Sequence, residues 1–321
     1  MKVLLWAPSA NDEVKDVAGI LRSHGLEVKT IKGAFSKAHE YLRESWNSLD
    51  FVIGVAPLPL CVRWVSGLLK SKYEDPSVLC VRPDGGYVLC LCGEHFRGGK
   101  CLASLLAETL RMKYIPTSKL DLMGITPLDE LCFRLRLSPS SLRLLNDYVK
   151  CQARGFKVAI KASPRMLECV KQVASKSYIF KEYSSERGVS AVICQINGLK
   201  PLALKPRKVV LGMGLCSVAD KHDVSSTVGR ALSVLKMPLR RLDALYVPDF
   251  RKGHPALSDL ESLVPLKCLK IQGLSRRSKM RSLCEELAIK PLKHGRLLVK
   301  KIKGKHSTAA LAEGIVHDRT G

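Results

Sequence analysis

The sequence predicts an α/β protein of two or three units, each with a mainly parallel, helix-covered sheet. Three observations predict it. Short apolar runs rich in β-branched residues recur at 3–8, 26–31, 51–55 and 78–81, as buried strands do. Between them lie segments with apolar residues at helical spacing, such as 12–23 and 36–46; strands alternating with helices imply parallel pairing with helices on the sheet faces. The pattern restarts at Val209, after a basic, Pro-rich stretch, LKPLALKPRK, that reads as a linker over 199–208.

Taken in order, Asn11 is placed to cap the first helix, whose first turn carries Asp12 and Glu13, and Gly25 to end it. A helical run at 60–70 connects the strands at 51–55 and 78–81. Asp84-Gly85-Gly86 is a hairpin turn into a further strand at 87–92. Next come a Gly-rich loop, GEHFRGGK at 93–100, a helix at 101–112 and a short strand at 114–117. The first unit is expected to span 1–137. A middle α/β region at 138–198 follows: a helix capped by Ser138 and starting at Pro139, strands at 156–160, 178–183 and 189–196, and a helix at 164–174. The last unit covers 209–321. Its Gly212-Met213-Gly214 resembles the start of a dinucleotide fingerprint, but the third glycine position holds Ser217, so that reading fails.

The formal charge of +24 is uneven: +4 over residues 1–150 and +20 over 151–321. Such a field suits nucleic acid, an acidic membrane or a polycarboxylate substrate, or is simply a solvated surface; no paired-aromatic RNA motif accompanies it. No apolar run approaches the ~20 residues of a membrane span, and the start of the chain reads as a strand and not a leader, so a cytoplasmic protein is expected. The twelve cysteines form no CxxC pair. Cys90, Cys92, His95 and Cys101 are the densest group, at a spacing that matches no standard zinc site, so no resident metal is expected.

The segment from Asp50 to Ala103 carries the most information. Lys72, Asp75, His95, Arg97 and Lys100 sit at the edges of an apolar scaffold, where chemistry concentrates. LLKSKYEDPSV at 68–78, GYVL at 86–89 and the loop into Cys101-Leu102-Ala103 resemble the N-terminal domain of the cobalt-precorrin-5A hydrolases (CbiG), whose pattern is roughly LLKxKxxDPAVVVVDExGxxVISLLSGHxGGANxLA. Glu94 is extra relative to that pattern, Arg97 stands where a Gly is usual, and Lys100 where an Asn is usual. Further on, Asp121 matches the Asp of the family's TTATD segment, and Asp129-Glu130 its acidic helix start. The motif RKGHPAL at 251–257, with His254 in place of Glu, the 282–288 helix with Glu285, and the strand and turn at 297–312 resemble the family's C-terminal domain.

The resemblance implies a hydrolase of anaerobic cobalamin biosynthesis, grouped with those that act on a carbon–carbon bond. It would open the δ-lactone of cobalt-precorrin-5A and release acetaldehyde, giving cobalt-precorrin-5B. The cobalt would arrive in the substrate, with no resident cofactor. The corrinoid precursor is then the expected partner, with other enzymes of the same pathway beyond it, and neither membrane nor nucleic acid. A tetrapyrrole bearing acetate and propionate arms also suits the positive charge. Lactone hydrolysis needs an activated water, an oxyanion donor and an acid for the leaving oxygen. His95, Asp75 and Asp121 are the expected catalytic set. Lys72, Arg97, Gly98, Gly99, Lys100 and Glu285 are the expected substrate contacts, with the Gly98 and Gly99 amides as oxyanion donors. Asp129 reads mainly as a helix-start charge. The departures at Arg97, Lys100 and His254 leave open a non-catalytic corrinoid-binding homologue, and the net charge leaves open a basic RNA-binding α/β protein.

Overall fold

The computed structural model describes residues 1–9, 12–174, 177–182, 191–270 and 282–314. The chain forms two compact units, Met1–Arg22 with Glu27–Lys205, and Ser23–Leu26 with Pro206–Gly321. Asn11, Tyr183 and positions 189–190, assigned above to a cap and two strands, lie outside the described residues.

The first unit holds two sheets. The first has β1 (Lys2–Ala7), β2 (Glu27–Lys32), β3 (Phe51–Val55), β4 (Ser77–Val81), β5 (Tyr87–Cys92) and β6 (Lys113–Ile115), in the order β2-β1-β3-β4-β5-β6. The pairs from β2 to β4 are parallel, β4 and β5 form the expected antiparallel hairpin, and β6 returns parallel to β5. Every residue of β3 and β4 is buried, as expected for parallel strands covered on both faces. The connecting helices are α1 (Asp12–Ser23), α2 (Phe35–Ser45), α3 (Leu58–Val65) and α4 (Gly99–Leu110). In α1, Val14, Val17, Ala18 and Leu21 form the buried stripe. The rings of Trp6 and Trp64, both fully buried, pack 4.8 Å apart in the core.

Two short helices, α5 (Lys119–Leu122) and α6 (Leu128–Arg134), lead to the second sheet. Its strands are β7 (Leu137–Pro139), β8 (Val158–Ala162), β9 (Tyr178–Glu182), β10 (Val192–Gln195) and β11 (Leu202–Pro206), ordered β7-β11-β10-β8-β9, with helices α7 (Leu142–Ala153) and α8 (Pro164–Val173). This sheet is mixed: β10 is antiparallel to both β11 and β8, while β8 and β9 are parallel. Its core takes Leu128 and Leu131 from α6 and Leu145 and Tyr148 from α7, with Tyr73 and Phe96 packed against it. Tyr148 is fully buried and its hydroxyl donates to the carbonyls of Cys194 and Lys200. The middle region is thereby built onto the segments that carry the candidate site.

The sequence expectations need two corrections here. The stretch 199–208 is no linker: Leu202–Leu204 pair with β10, and the alternation of buried Leu202 and Leu204 with more exposed neighbours is a strand period that the prolines at 201 and 206 merely bound. Ser138 and Pro139 do not open a helix either. They lie in β7, and the cap is Ser141, whose hydroxyl accepts from the Leu144 amide.

The second unit has one sheet, of β12 (Lys208–Leu215), β13 (Ala244–Pro248), β14 (Leu266–Leu269), β15 (Arg296–Lys303) and β16 (Ser307–Gly314), ordered β14-β13-β12-β16-β15. β12, β13 and β14 are parallel, and β16 runs antiparallel between β12 and β15. Helices α9 (Lys221–Ser233), α10 (Ser258–Glu261) and α11 (Leu283–Ile289) accompany it, and α11 packs closely on Gly212 of β12. Among the described residues no helix is long and apolar enough to cross a membrane.

Candidate functional site

The site is built on the connection from β5 to α4. Gly93 and Gly98 take the left-handed backbone (φ +68° and +83°) that folds the loop sharply. A side chain on Gly98 would collide with the Phe133 ring, and one on Gly99 with Ser77 Oγ and Cys90 Sγ. These glycines let the loop close on its own scaffold and not on a ligand. The amides of Gly98, Gly99 and Lys100 donate to the carbonyls of His95, Gly93 and Glu94 at 3.0, 3.1 and 2.8 Å. They are therefore spent on the loop, which corrects their assignment as oxyanion donors. What the loop presents is the pair Glu94 and His95.

Around His95 the structure gathers a dense set of charges. His95 Nε2 lies 3.1 Å from Asp121 Oδ2, which also accepts from Ser118 Oγ at 2.7 Å. Lys100 Nζ bridges Asp121 Oδ1 (2.5 Å) and Glu130 Oε2 (2.8 Å), and Arg134 reaches Glu130 Oε1 at 3.4 Å. The Tyr114 hydroxyl donates to Glu94 Oε1 at 2.6 Å, and Glu94 Oε2 stands 3.9 Å from His95 Nε2. On the other side of the ring, Asp129 Oδ1 is 3.9 Å from His95 Nδ1, and Asp129 Oδ2 is 3.9 Å from Lys72 Nζ. A cleft of about 320 Å³ opens beside them, lined by Lys72, Glu94, His95, Ser118 and Asp129 and, on its apolar side, by Phe96, Leu120, Val149 and Ala153. Val149 and Ala153 come from α7, so the middle region supplies part of the wall.

The electrostatics follow from this packing. Burial acts to raise the Asp121 pKa, but the hydrogen bonds from His95, Lys100 and Ser118 outweigh it and hold the carboxyl well below its ordinary range. Burial alone would lower His95; the Asp121 hydrogen bond and the charges of Asp129, Asp121 and Glu94 overcome it, and the imidazole pKa is raised. Burial raises Glu94, with the Tyr114 hydrogen bond opposing, and raises Asp129, with His95 and Lys72 opposing. Lys100 is raised: burial opposes, and Glu130 and Asp121 prevail. Ionised Asp121 can only accept, so Nε2 of His95 donates to it; in the neutral ring Nδ1, on the Asp129 side, is then the basic nitrogen, and the surrounding acids favour its protonation. One atom each of Glu94, His95 and Asp121 lie within 4.8 Å of one another, the size of a metal site. Lys100 already supplies the cation on Asp121, so no metal is assigned there.

Of the residues expected from the sequence, His95, Asp121, Lys100 and Lys72 come together. Lys100 is engaged by two carboxylates, so its charge is not free for a substrate arm. Lys72 is nearly half exposed at the cleft and is suited to that task. Asp75 does not join them. It is buried, with Oδ2 accepting from the Lys70 and Ser71 amides and Oδ1 from Trp46 Nε1, so it organises the 68–76 loop and cannot serve as a base. Arg97 is half-buried in the loop and does not line the cleft. Glu285 completes a capping box with Ser282 and accepts from the Lys301 amide, so its carboxylate serves the second unit's helix α11 and is no substrate contact. Sequence reasoning missed Asp129 and Glu130 as members of the cluster. The signal was present: both acids lie in LDELCF, a helix with every one of those residues buried, where a mere helix-start charge would face solvent. Glu94, Tyr114 and Ser118 carried no such signal.

Residues 40–121 match the family model "Cobalamin synthesis G N-terminal". The chain is 25% identical to the cobalt-precorrin-5A hydrolase of Salmonella typhimurium over 243 residues, 72% of this chain and 69% of that one. It is 20% identical to the enzyme of the same name from Priestia megaterium over 241 residues, 69% of this chain and 62% of that one. Among solved structures, a cobalamin biosynthesis protein G homolog from Sulfolobus solfataricus matches the fold with a TM-score of 0.56 at 16% identity, covering 97% of this chain and 96% of that one. The matched segment, 40–121, contains Lys72, the whole loop and Asp121; over that segment the chain matches the cobalamin synthesis G N-terminal family, and over the longer alignments it is similar to the two hydrolases.

Proposed function

We propose that this protein is a cobalt-precorrin-5A hydrolase, opening the substrate's δ-lactone and releasing acetaldehyde in cobalamin biosynthesis. The observation that carries the reading is the Asp121–His95 pair, whose His95 lies on the wall of a cleft that also presents Lys72. A carboxylate that fixes an imidazole by one nitrogen leaves the other free to take a proton from an attacking water. In the first step the water oxygen bonds to the lactone carbonyl carbon, its proton passes to His95, and the carbonyl electron pair moves to oxygen. Lys72 faces that oxyanion or a neighbouring acid arm. Collapse breaks the ring C–O bond, and His95 returns its proton to the leaving oxygen. The freed hydroxyl then passes its proton to the now neutral His95 as the adjacent carbon–carbon bond breaks, acetaldehyde leaves, and the electron pair of that bond passes to the conjugated macrocycle.

A cleft of about 320 Å³, at the small end of ligand sites, accepts the lactone edge and leaves the macrocycle outside. The cobalt arrives in the substrate on this reading, and no step above draws on a resident cofactor. Incubation with cobalt-precorrin-5A and enzymatic detection of acetaldehyde tests the reading. Catalytic release is expected; tight corrinoid binding without release would replace it with a non-catalytic binding role.

A further inference from the structure

Asp129 is the one acid of the site whose bonding is incomplete. Its side chain is 4% exposed, yet Oδ1 has no hydrogen-bond partner. Leaving a buried carboxylate oxygen unbonded costs roughly 1–3 kcal/mol, more for a charge. Such an atom marks a place that a ligand completes. The missing partner must be a donor. It is not His95 itself, because 3.9 Å from Nδ1 to Oδ1 is beyond hydrogen-bond range. Nor is it Lys72, which lies against the other oxygen, also at 3.9 Å.

A water fits the gap. With its oxygen about 2.8 Å from each acceptor it would subtend roughly 90° across that separation, near its own H–O–H angle. It would then donate one hydrogen to Asp129 Oδ1 and one to the Nδ1 lone pair, which leaves its oxygen lone pairs directed away from both. That is the orientation a nucleophile needs.

We propose that Asp129 is a catalytic residue which, with His95 Nδ1, holds and aims the water that attacks the lactone. The water's oxygen forms the new bond to the carbonyl carbon. One proton moves to Nδ1, and the other stays on the new hydroxyl, bonded to Asp129. The imidazolium so formed lies between two carboxylates, Asp121 on Nε2 and Asp129 facing Nδ1, and keeps the proton until the ring oxygen departs. Burial, with the neighbouring Glu130 charge, raises the Asp129 pKa against His95 and Lys72. Asp129 also explains why α6 buries two acids: Glu130 is held by Lys100 and Arg134, whereas Asp129 is left for the cleft.

The proposal rests on the hydrolase reading, and one experiment separates the two. Wild-type and Asp129→Asn proteins are assayed for acetaldehyde release from cobalt-precorrin-5A, with melting temperatures taken alongside. A residue that aims the nucleophile predicts kcat falling by about 10²-fold or more with KM nearly unchanged. The melting temperature should hold or rise, because the variant no longer buries an incompletely bonded charge. The acidic limb of kcat/KM should also move to lower pH, since His95 loses a negative neighbour. Asp121 and Glu94, which also face the ring, remain in place, as do Lys100 on Asp121 and Lys72 on the cleft wall. An active wild type with a variant of near-normal kcat overturns the role of Asp129 alone. So does a kcat loss matched by a large fall in melting temperature, the mark of a structural ion pair. An inactive wild type overturns the hydrolase reading.

Discussion

Glu313, in the second unit, and Asp129, in the first, are buried to nearly the same degree, 1% and 3% exposed. Their surroundings differ. Glu313 Oε1 accepts from Arg207 Nη1 at 3.1 Å and Arg296 Nε at 2.8 Å. Asp223, the other buried acid among the second unit's described residues, accepts from the Lys305 and His306 amides at 2.6 and 3.0 Å. Both are acids whose burial is explained by the bonds they make. Asp129 makes fewer than its burial demands. Complete bonding accounts for the burial of Glu313 and Asp223 without any ligand, whereas the open bond of Asp129 points to one. Within the first unit the same line separates Asp75, fully bonded in its loop, from the acid that faces the cleft.

The most severe test of this distinction takes the bonds away from a satisfied pair. Lys100→Met leaves Asp121 and Glu130 buried without their shared cation, and stability should fall by roughly 3–5 kcal/mol, the cost of stranding a buried partner. Urea unfolding measures it, and a loss under about 1 kcal/mol would mean that the two acids do not depend on Lys100. Asp75→Ala comes next. It strands the Trp46 indole and two backbone amides, at about 3 kcal/mol for lost bonds to a charged acceptor, while kcat of the folded protein stays near wild type. A large kcat loss at unchanged stability would return Asp75 to the catalytic set.

The smallest effect is one of pH. The His95 imidazole, followed by NMR, should titrate above its ordinary value of about 6.5 and drop in Asp121→Asn. Because its pKa is raised in the folded state, its contribution to stability is complete below the unfolded value and fades as pH rises through the folded one. Asp121 has the opposite sign: its depressed pKa contributes stability above the ordinary carboxyl range, which is lost as pH falls through the folded value. A His95 titration at or below the ordinary value would show that burial, and not the surrounding acids, governs the ring.

Much of the fold was legible because its signals are local. The β1–β5 runs and the Asp84-Gly85-Gly86 turn declare themselves by apolar period and turn residues, and the alternation with helices gives the parallel pairing. The middle sheet was harder to read. The antiparallel pairing of β11 with β10 is a long-range choice, and Pro201 and Pro206 mimic a linker while marking strand ends. In the site, His95, Lys72 and Lys100 stood out as polar groups at the edge of an apolar scaffold, and Asp121 through the resemblance to the TTATD segment. The roles of the loop glycines did not, because whether a glycine admits a ligand or the Phe133 ring is a tertiary fact. Asp75 and Asp129 were exchanged for the same reason: each belongs to an acidic pair, Glu74-Asp75 and Asp129-Glu130, beside an apolar run, and only the hydrogen bonds around them tell a structural acid from an open one.

His95 is where these threads meet, and removing it is the most direct test of the site. Acetaldehyde release from cobalt-precorrin-5A should be measured under single-turnover conditions in wild type and His95→Ala, with corrinoid affinity determined in parallel. If His95 moves the proton, the rate falls by about 10²–10⁴-fold while affinity changes only a few-fold. An unchanged rate would contradict proton transfer at His95 and with it the assignment of this cleft as the place where the lactone opens.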